Sequence, residues 1–598
     1  MKNKIISLLL VLVMVVAVFV SCAPSDPTPP DDGNGGTTEC KQHVDANKDG
    51  KCDKCGKTMG TTPTPGPGGG ETEEGRPGDG WDTTELFFRM TDSSNRQELP
   101  SGCKRYLSGE GTNDQRIDKM VRERNLAAFD YANVEVTYAY YPDNNSAYDW
   151  SMVQEKIVEE IKSGSSSTPD MYCNFVYDMM AASLKGVFAN LKTTKRDENH
   201  FEFTKNRLYA TEVGDDHGYM FEYMQSLTLN QQKMYLLSSD YFTDMVRAFY
   251  VVPVSRSLFE SLDQASLTGD LNGDGATNID DLFQLVKNKD WTYDALMKYS
   301  AAAYQAAPDN ATGQKDIKDR LGFAVSTSSG LSASGLLYTT SVQIINRVWN
   351  EDKTDSTDTY PIPNDAFVDF CNKLSTLFKS SGVLAVSDQQ TSAAGLDSSS
   401  LRAIRSRFTE NQILFGGVIC VGSLEYDAYQ LMKEDGGLGF GVVPVPLYKQ
   451  TDDHTENYLT QVHNIGRVGA IANTTLKFKQ CSAFMDYQAR HSKDILEQYY
   501  NTTLTYGVAA GDGLEGNVDM LSLIRSNVRS AFDKAFEDAI GFFYKNVDDM
   551  ADKNRWHQML MTASFQLDDA ATKYKSVAEL KQNYLNQLKN SQYGELPD

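Results

Sequence analysis

Oxygen-bearing side chains alternate along one short stretch, SLTGDLNGDGATNIDDLFQLV. Counted from Asp270, oxygen donors stand at positions one (Asp270), three (Asn272), five (Asp274), seven (the Ala276 carbonyl), nine (Asn278) and twelve (Asp281), with Gly275 at six. Calcium takes several hard oxygen ligands on a sharply bent loop, and this spacing supplies them. A metal-free Asx-rich turn would use the same residue types, because Asp and Asn suit turns by themselves. A second cluster lies near the N-terminus, where Cys40-x2-His43 is followed by Cys52-x2-Cys55. Two close ligand pairs joined by a turn match a structural tetrahedral zinc site held by Cys40, His43, Cys52 and Cys55. Between the pairs, Asp45-x-Asn47-x-Asp49-Gly50, with Asp53 further on, repeats the calcium spacing. One turn is too small to serve both metals in full. The island 40–59 therefore stands as a zinc site, a calcium loop, or a turn that is metal-free or disulfide-linked.

Other catalytic signatures are missing. There is no P-loop, no GxGxxG after a strand, no GxSxG and no HExxH, and the seven histidines are scattered. Carboxylates are abundant, but no pair stands out as the acid and base of a glycosidase. Binding without catalysis is the better reading. The net charge of −24 argues against a nucleic-acid partner, which would need a basic surface to displace phosphate counterions.

The chain of 598 residues is too long for one core and requires at least two domains. It opens with Lys2 and Lys4 before the apolar run Ile5–Val20, which suits a signal peptide over residues 1–21. Val20-Ser21-Cys22-Ala23 resembles a lipobox, which implies cleavage before Cys22 and a diacylglycerol on its sulfur; a plain secretory peptide is the alternative. Residues 22–39 and 60–81 are rich in Pro, Gly and Thr and read as spacers on either side of the island. The five body cysteines (Cys103, Cys173, Cys371, Cys420 and Cys481) are odd in number and form no disulfide framework, so they read as buried thiols.

The body alternates strands and helices. Glu85–Met90 reads as a strand, Asp114–Asp130 as a helix and the alternating Asn133–Tyr141 as a second strand. Trp150, Val153, Ile157, Val158 and Ile161 recur at helical spacing; Pro169-Asp170 then delivers a strand through Cys173, and Asp178–Phe188 is helical. Thr292 is an N-cap, Phe367–Phe378 is helical, and Ser387–Ser400 is loop-like. Near the C-terminus, the apolar run Ile413–Val421, a helix over Glu425–Lys433 and a strand over Phe440–Val443 predict a βαβ unit in a parallel sheet. Pro444 and Pro446 then take the chain out of that sheet. Asn457–Ala472 reads as a returning strand, Cys481–His491 as a helix, and Asn517–Asn590 as mostly helical.

The stretch from Phe408 through Gly416 and Gly422 to Gly441–Pro446 resembles the sugar-binding branch of the extracellular solute-binding proteins of ABC importers, with Asn411 where that pattern has glycine. The Ser/Thr-x-Pro-Asp-apolar step at Pro169 and the Trp291-Thr292-Tyr293-Asp294 helix start are similar to that family too. The resemblance implies an α/β fold of two lobes, periplasmic-binding-protein-like of type II, with a hinge between them. The first lobe would take 82–236 and 455–508, and the second 237–454 and 509–598. The loop 268–286 resembles half of a dockerin and would be a calcium-stabilised insertion in the second lobe.

Open parallel sheets bind at the carboxyl ends of their strands. With the resemblance, this makes Thr91, Asp92, Asn174, Tyr177, Glu425, Tyr426, His463 and Asn464 the ligand-facing residues; Tyr177 has packing as its alternative. The implied protein is lipid-anchored at the extracellular face of the membrane. It would capture a carbohydrate by hinge closure and pass it to permease subunits. The alternative is a cell-surface carbohydrate-active enzyme or adhesin, suggested by the dockerin-like loop.

Overall fold

The computed structural model describes residues 76–528, except for 92–101, 142–151, 194–198, 204–217, 328–334, 426–431, 451–456, 506–513 and interruptions of four residues or fewer. The leader, Cys22 and the island with Cys40, His43, Cys52 and Cys55 lie outside the described residues, as does everything after 528.

The strands, in chain order, are β1 (Thr84–Met90), β2 (Val134–Tyr140), β3 (Met171–Phe175), β4 (Tyr250–Ser255), β5 (Leu321–Ser326), β6 (Asn346–Trp349), β7 (Ser356–Thr359) and β8 (Val383–Val386). They continue as β9 (Ile413–Phe415), β10 (Ile419–Cys420), β11 (Lys433–Glu434), β12 (Gly437–Leu438), β13 (Phe440–Val443) and β14 (Arg467–Ile471). The first sheet runs β2-β1-β3-β14, with β1 parallel to both neighbours and β14 antiparallel to β3. Alternation places Leu86, Phe88 and Met90 of β1 in the core, while β3 is buried along its whole length. Helix Met152–Ser163 buries Val153, Ile157 and Ile161, a stripe at helical spacing that covers this lobe.

In the second sheet β5 lies parallel to β8 and β9, and β4 lies antiparallel to β9, β10 and β13. The expected βαβ unit is therefore corrected. Strands β9 and β13 do not pair with each other, because β4 lies between them and pairs with both. The segment after β10 begins with a 3₁₀ turn, Val421–Glu425; residues 426–431 of the expected helix lie outside the described residues, and Lys433–Glu434 is half of a two-stranded ladder with Gly437–Leu438. The segment Ser387–Ser400 also differs from expectation. Ser387 caps a short helix, Asp388–Ala393, in a capping box with Gln390.

The chain passes from the first sheet to the second ahead of β4 and returns between β13 and β14. These two crossings run side by side: Tyr250 N–H donates to the Gln461 carbonyl at 3.1 Å, and His463 N–H to the Ala248 carbonyl at 2.9 Å. A short helix, Thr243–Arg247, precedes β4 and packs against β14, the π-helical turn Lys104–Ser108 and the 3₁₀ turn Val421–Glu425. The chain reaches the second lobe again at helix Leu514–Ser526, where Asn517 Oδ1 accepts the Val442 N–H at 2.8 Å.

Candidate ligand-binding site

Strands β1 and β3 are neighbours, so the residues that follow or close them come together at one end of the first sheet. Thr91 N–H donates to the Cys173 carbonyl at 3.3 Å, which sets Thr91 beside Asn174. Thr91 is 6% exposed and Asn174 1%. Asn174 Nδ2 donates to Asp178 Oδ2 at 3.1 Å. Thr91 Oγ1 and Asn174 Oδ1, however, have no hydrogen-bond partner. Buried polar atoms are almost always paired, so two open ones lying side by side on adjacent strand ends stand out. Tyr177 is buried beside them and its ring stacks on Phe175 at 5.9 Å between centroids.

Glu425 closes the 3₁₀ turn of the second lobe, but its carboxylate is already engaged. Arg247 grips it with Nε to Oε1 at 2.7 Å and Nη2 to Oε2 at 2.9 Å. Tyr499 OH adds a hydrogen bond to Oε1 at 2.8 Å. Glu425, expected to face ligand, has its carboxylate held by these protein partners in the structure. His463 sits in the returning crossing, its ring edge-on to Tyr250 at 5.8 Å and its Nδ1 accepting the Ile465 N–H at 3.3 Å. Asp92, Tyr426 and Asn464 lie outside the described residues.

The Arg247–Glu425 pair continues into a chain of buried charges. Arg247 Nη1 also donates to Asp244 Oδ1, and Asp244 Oδ2 meets Arg467 Nε at 2.7 Å. Arg467 Nη1 donates to the Thr91 carbonyl, and its guanidinium lies 4.6 Å from the Phe175 ring centroid. Arg247 is fully buried. Burial pulls its pKa down, but Glu425 and Asp244 more than offset this and hold the guanidinium well above its ordinary value. Burial, and then Glu425, push the Tyr499 hydroxyl well up. Sequence reasoning passed over Arg247, Asp244 and Arg467. A signal was present: Arg247 stands in MVRAFYVV and Arg467 in IGRVGAI, and an arginine embedded in an apolar run must find a buried partner.

The loop from Asp270 is folded on its own backbone. Asp270 accepts N–H groups from Gly273 at 2.7 Å and from Gly275 at 3.0 Å, and Asp274 accepts from Ala276 at 2.7 Å. Asn278 caps helix Ile279–Lys287, and buried Asp281 accepts from Leu271 at 2.7 Å and Asn278 at 2.9 Å. Gly275 takes φ +85°, the bend that the sixth loop position needs. The donor chemistry thus fits calcium. The side chains, though, are arranged as an Asx-rich turn, and among the described residues no three His, Cys, Asp or Glu groups converge as a metal site.

No protein-family model matches the sequence, and no curated protein does. Solved structures with a similar course include the GacH receptor of Streptomyces glaucescens, at 12% identity over 84% of this chain and 99% of that one, with a TM-score of 0.43. An ABC substrate-binding protein from Listeria monocytogenes in complex with cycloalternan has 12% identity over 84% and 100%, with a TM-score of 0.43. The galacto-N-biose-/lacto-N-biose I-binding protein of the ABC transporter from Bifidobacterium longum has 12% over 85% and 98%, also at 0.43. Among the described residues no helix is long and apolar enough to cross a membrane. The described residues form two α/β lobes, each built on its own sheet, and each sheet contains a strand that has just arrived from the other lobe.

Proposed function

We propose that this chain captures a carbohydrate between its two lobes for an ABC importer and does not alter it. One observation carries the reading: Thr91 Oγ1 and Asn174 Oδ1 are buried, adjacent and unpartnered at the carboxyl ends of two parallel strands. Sugar hydroxyls both donate and accept, so either atom can be satisfied by such a ligand. The ligand would bind the closed arrangement of lobes better than the open one and shift the population toward it. The sequence supports a lipid at Cys22, anchoring on the extracellular face of the membrane, and permease subunits as the receiving partners. It also supports structural calcium at Asp270, Asn272, Asp274, Ala276, Asn278 and Asp281, and zinc at Cys40, His43, Cys52 and Cys55.

A thermal-shift screen against a glycan panel, including maltotriose, lacto-N-biose and cycloalternan, identifies a ligand for calorimetry. Thr91→Val is the sharp variant, because it replaces an unpartnered buried hydroxyl with a methyl group of the same shape. The expected result is an affinity for that glycan weaker by about tenfold, with a melting temperature unchanged or raised. Full affinity in Thr91→Val, or steady conversion of the glycan into shorter products, would overturn the reading.

A further inference from the structure

The buried charges form an unbroken line between the lobes. Glu425 belongs to the second lobe, Asp244 and Arg247 to the helix before the crossing, and Arg467 to β14 of the first sheet. The line ends at the Thr91 carbonyl and the Phe175 ring, beside the open polar atoms of the first lobe. Two positive and two negative groups alternate along it, so the charges balance. Side-chain exposure is 0% for Arg247, 5% for Asp244 and 3% for Arg467, rising to 15% for Glu425. Gly102 of the first lobe closes over the centre. A Cβ there would lie 2.0 Å from Asp244 Oδ1 and 2.1 Å from Arg247 Nη1, so any side chain would force the pair apart.

Parting one member of a buried ion pair from its partner is strongly unfavourable, because a charge is left uncompensated in a low dielectric. A motion of the lobes that pulled Glu425 from Arg247, or Asp244 from Arg467, would meet that penalty. Rotation about the helix Thr243–Arg247 avoids it, since both arginines stay with their carboxylates.

We propose that Asp244 and Arg247 are positioning residues of the hinge. They fix its axis at helix Thr243–Arg247 and couple Glu425 of the second lobe to the ligand-facing strand ends at Thr91 and Phe175. The proposal rests on the hinge-closure reading of the cleft. It is tested without ligand, so a glycan screen that finds nothing has a different outcome from a failure here.

The test is hydrogen exchange of the ligand-free full chain carrying Glu425→Gln. The mutation lies in the second lobe, yet exchange should quicken by about tenfold at the Thr91 amide and at the crossing amides of Tyr250 and His463, with Phe323–Val325 in the second sheet unchanged. A merely local role would confine the change to 421–425 and 243–247, and general loosening would quicken Phe323–Val325 equally; either pattern overturns the proposal. If Glu425→Gln does not fold, Tyr499→Phe removes one hydrogen bond from the same carboxylate. It should produce a smaller change at the same three amides, and unaltered exchange there overturns the proposal as well.

Discussion

Asp319 is a buried carboxylate held by hydrogen bonds. Its Oδ1 accepts the Ala307 N–H at 2.8 Å, and its Oδ2 accepts the Asp316 N–H at 2.9 Å and the Tyr304 hydroxyl at 3.1 Å. Burial by itself would raise the pKa, but these donors, with Asn310, outweigh it and hold the carboxyl below its ordinary value. A carboxyl depressed in the folded state stabilises the fold fully above the ordinary aspartate pKa of about 3.9. That contribution fades as pH falls through the lower, folded value. Asp319→Asn should therefore lower the melting temperature by about 2–4 °C at neutral pH. The gap between variant and wild type should close as the medium is acidified through that window. A gap that stays constant down to the acid limit would show that the charge is not what the four donors hold.

At the scale of elements, regular periodicity was legible and chain reversals were not. The strands Thr84–Met90 and Val134–Tyr140 and the helix Met152–Ser163 follow directly from alternating and helical apolar spacing. Thr292 caps its helix as its position suggests, accepting the Ala295 N–H at 3.3 Å. The helix expected over Glu425–Lys433 falls mostly outside the described residues and ends short of Lys433, which lies in β11; the Asp435-Gly436 dipeptide between β11 and β12 is the local signal for that hairpin. Asn411, the departure from the glycine pattern, keeps the required geometry: it takes φ +56°, and its side chain accepts the Ser255 hydroxyl at 2.8 Å. Asparagine tolerates that left-handed conformation better than most residues. Thr91 and Asn174 could be placed together at one sheet end from the sequence, because strand ends can be read from it. For the Arg247 cluster the sequence signals two arginines in apolar runs but not their partners, because Arg247 and Glu425 lie 178 residues apart and meet only through the crossing.

The loop beginning at Asp270 belongs to the same scale. Its aspartates accept backbone N–H groups with some of their lone pairs, and calcium would recruit the rest. Saturating calcium at a hundred times the dissociation constant would stabilise the folded loop by about 2.7 kcal/mol. Calcium should then raise the melting temperature relative to a chelator, and Asp274→Ala should abolish the rise while sparing the Asn278 cap of the following helix. Identical melting in calcium and in chelator would leave the Asx-rich turn as the whole account of the motif.

For the molecule as a whole, the question is whether two lobes behave as two domains. Each has its own sheet, which alone would favour separate unfolding. Three features oppose it. The crossings are hydrogen-bonded to each other through Tyr250–Gln461 and Ala248–His463. Glu425 of the second lobe is clamped by buried Arg247, whose other carboxylate binds Arg467 of the first sheet. Helix Leu514–Ser526 follows first-lobe helices in the chain, yet its Asn517 Oδ1 accepts the Val442 N–H of β13. An intermediate with only the second lobe unfolded would break all three, and loss of one partner from a buried ion pair alone costs roughly 3–5 kcal/mol. Calorimetry of the ligand-free chain should therefore show the lobes melting in one cooperative transition. Two resolved transitions, each with the enthalpy of a single lobe, would mean that the crossing carries little coupling. The lobes would then meet as independent domains on either side of a loose joint.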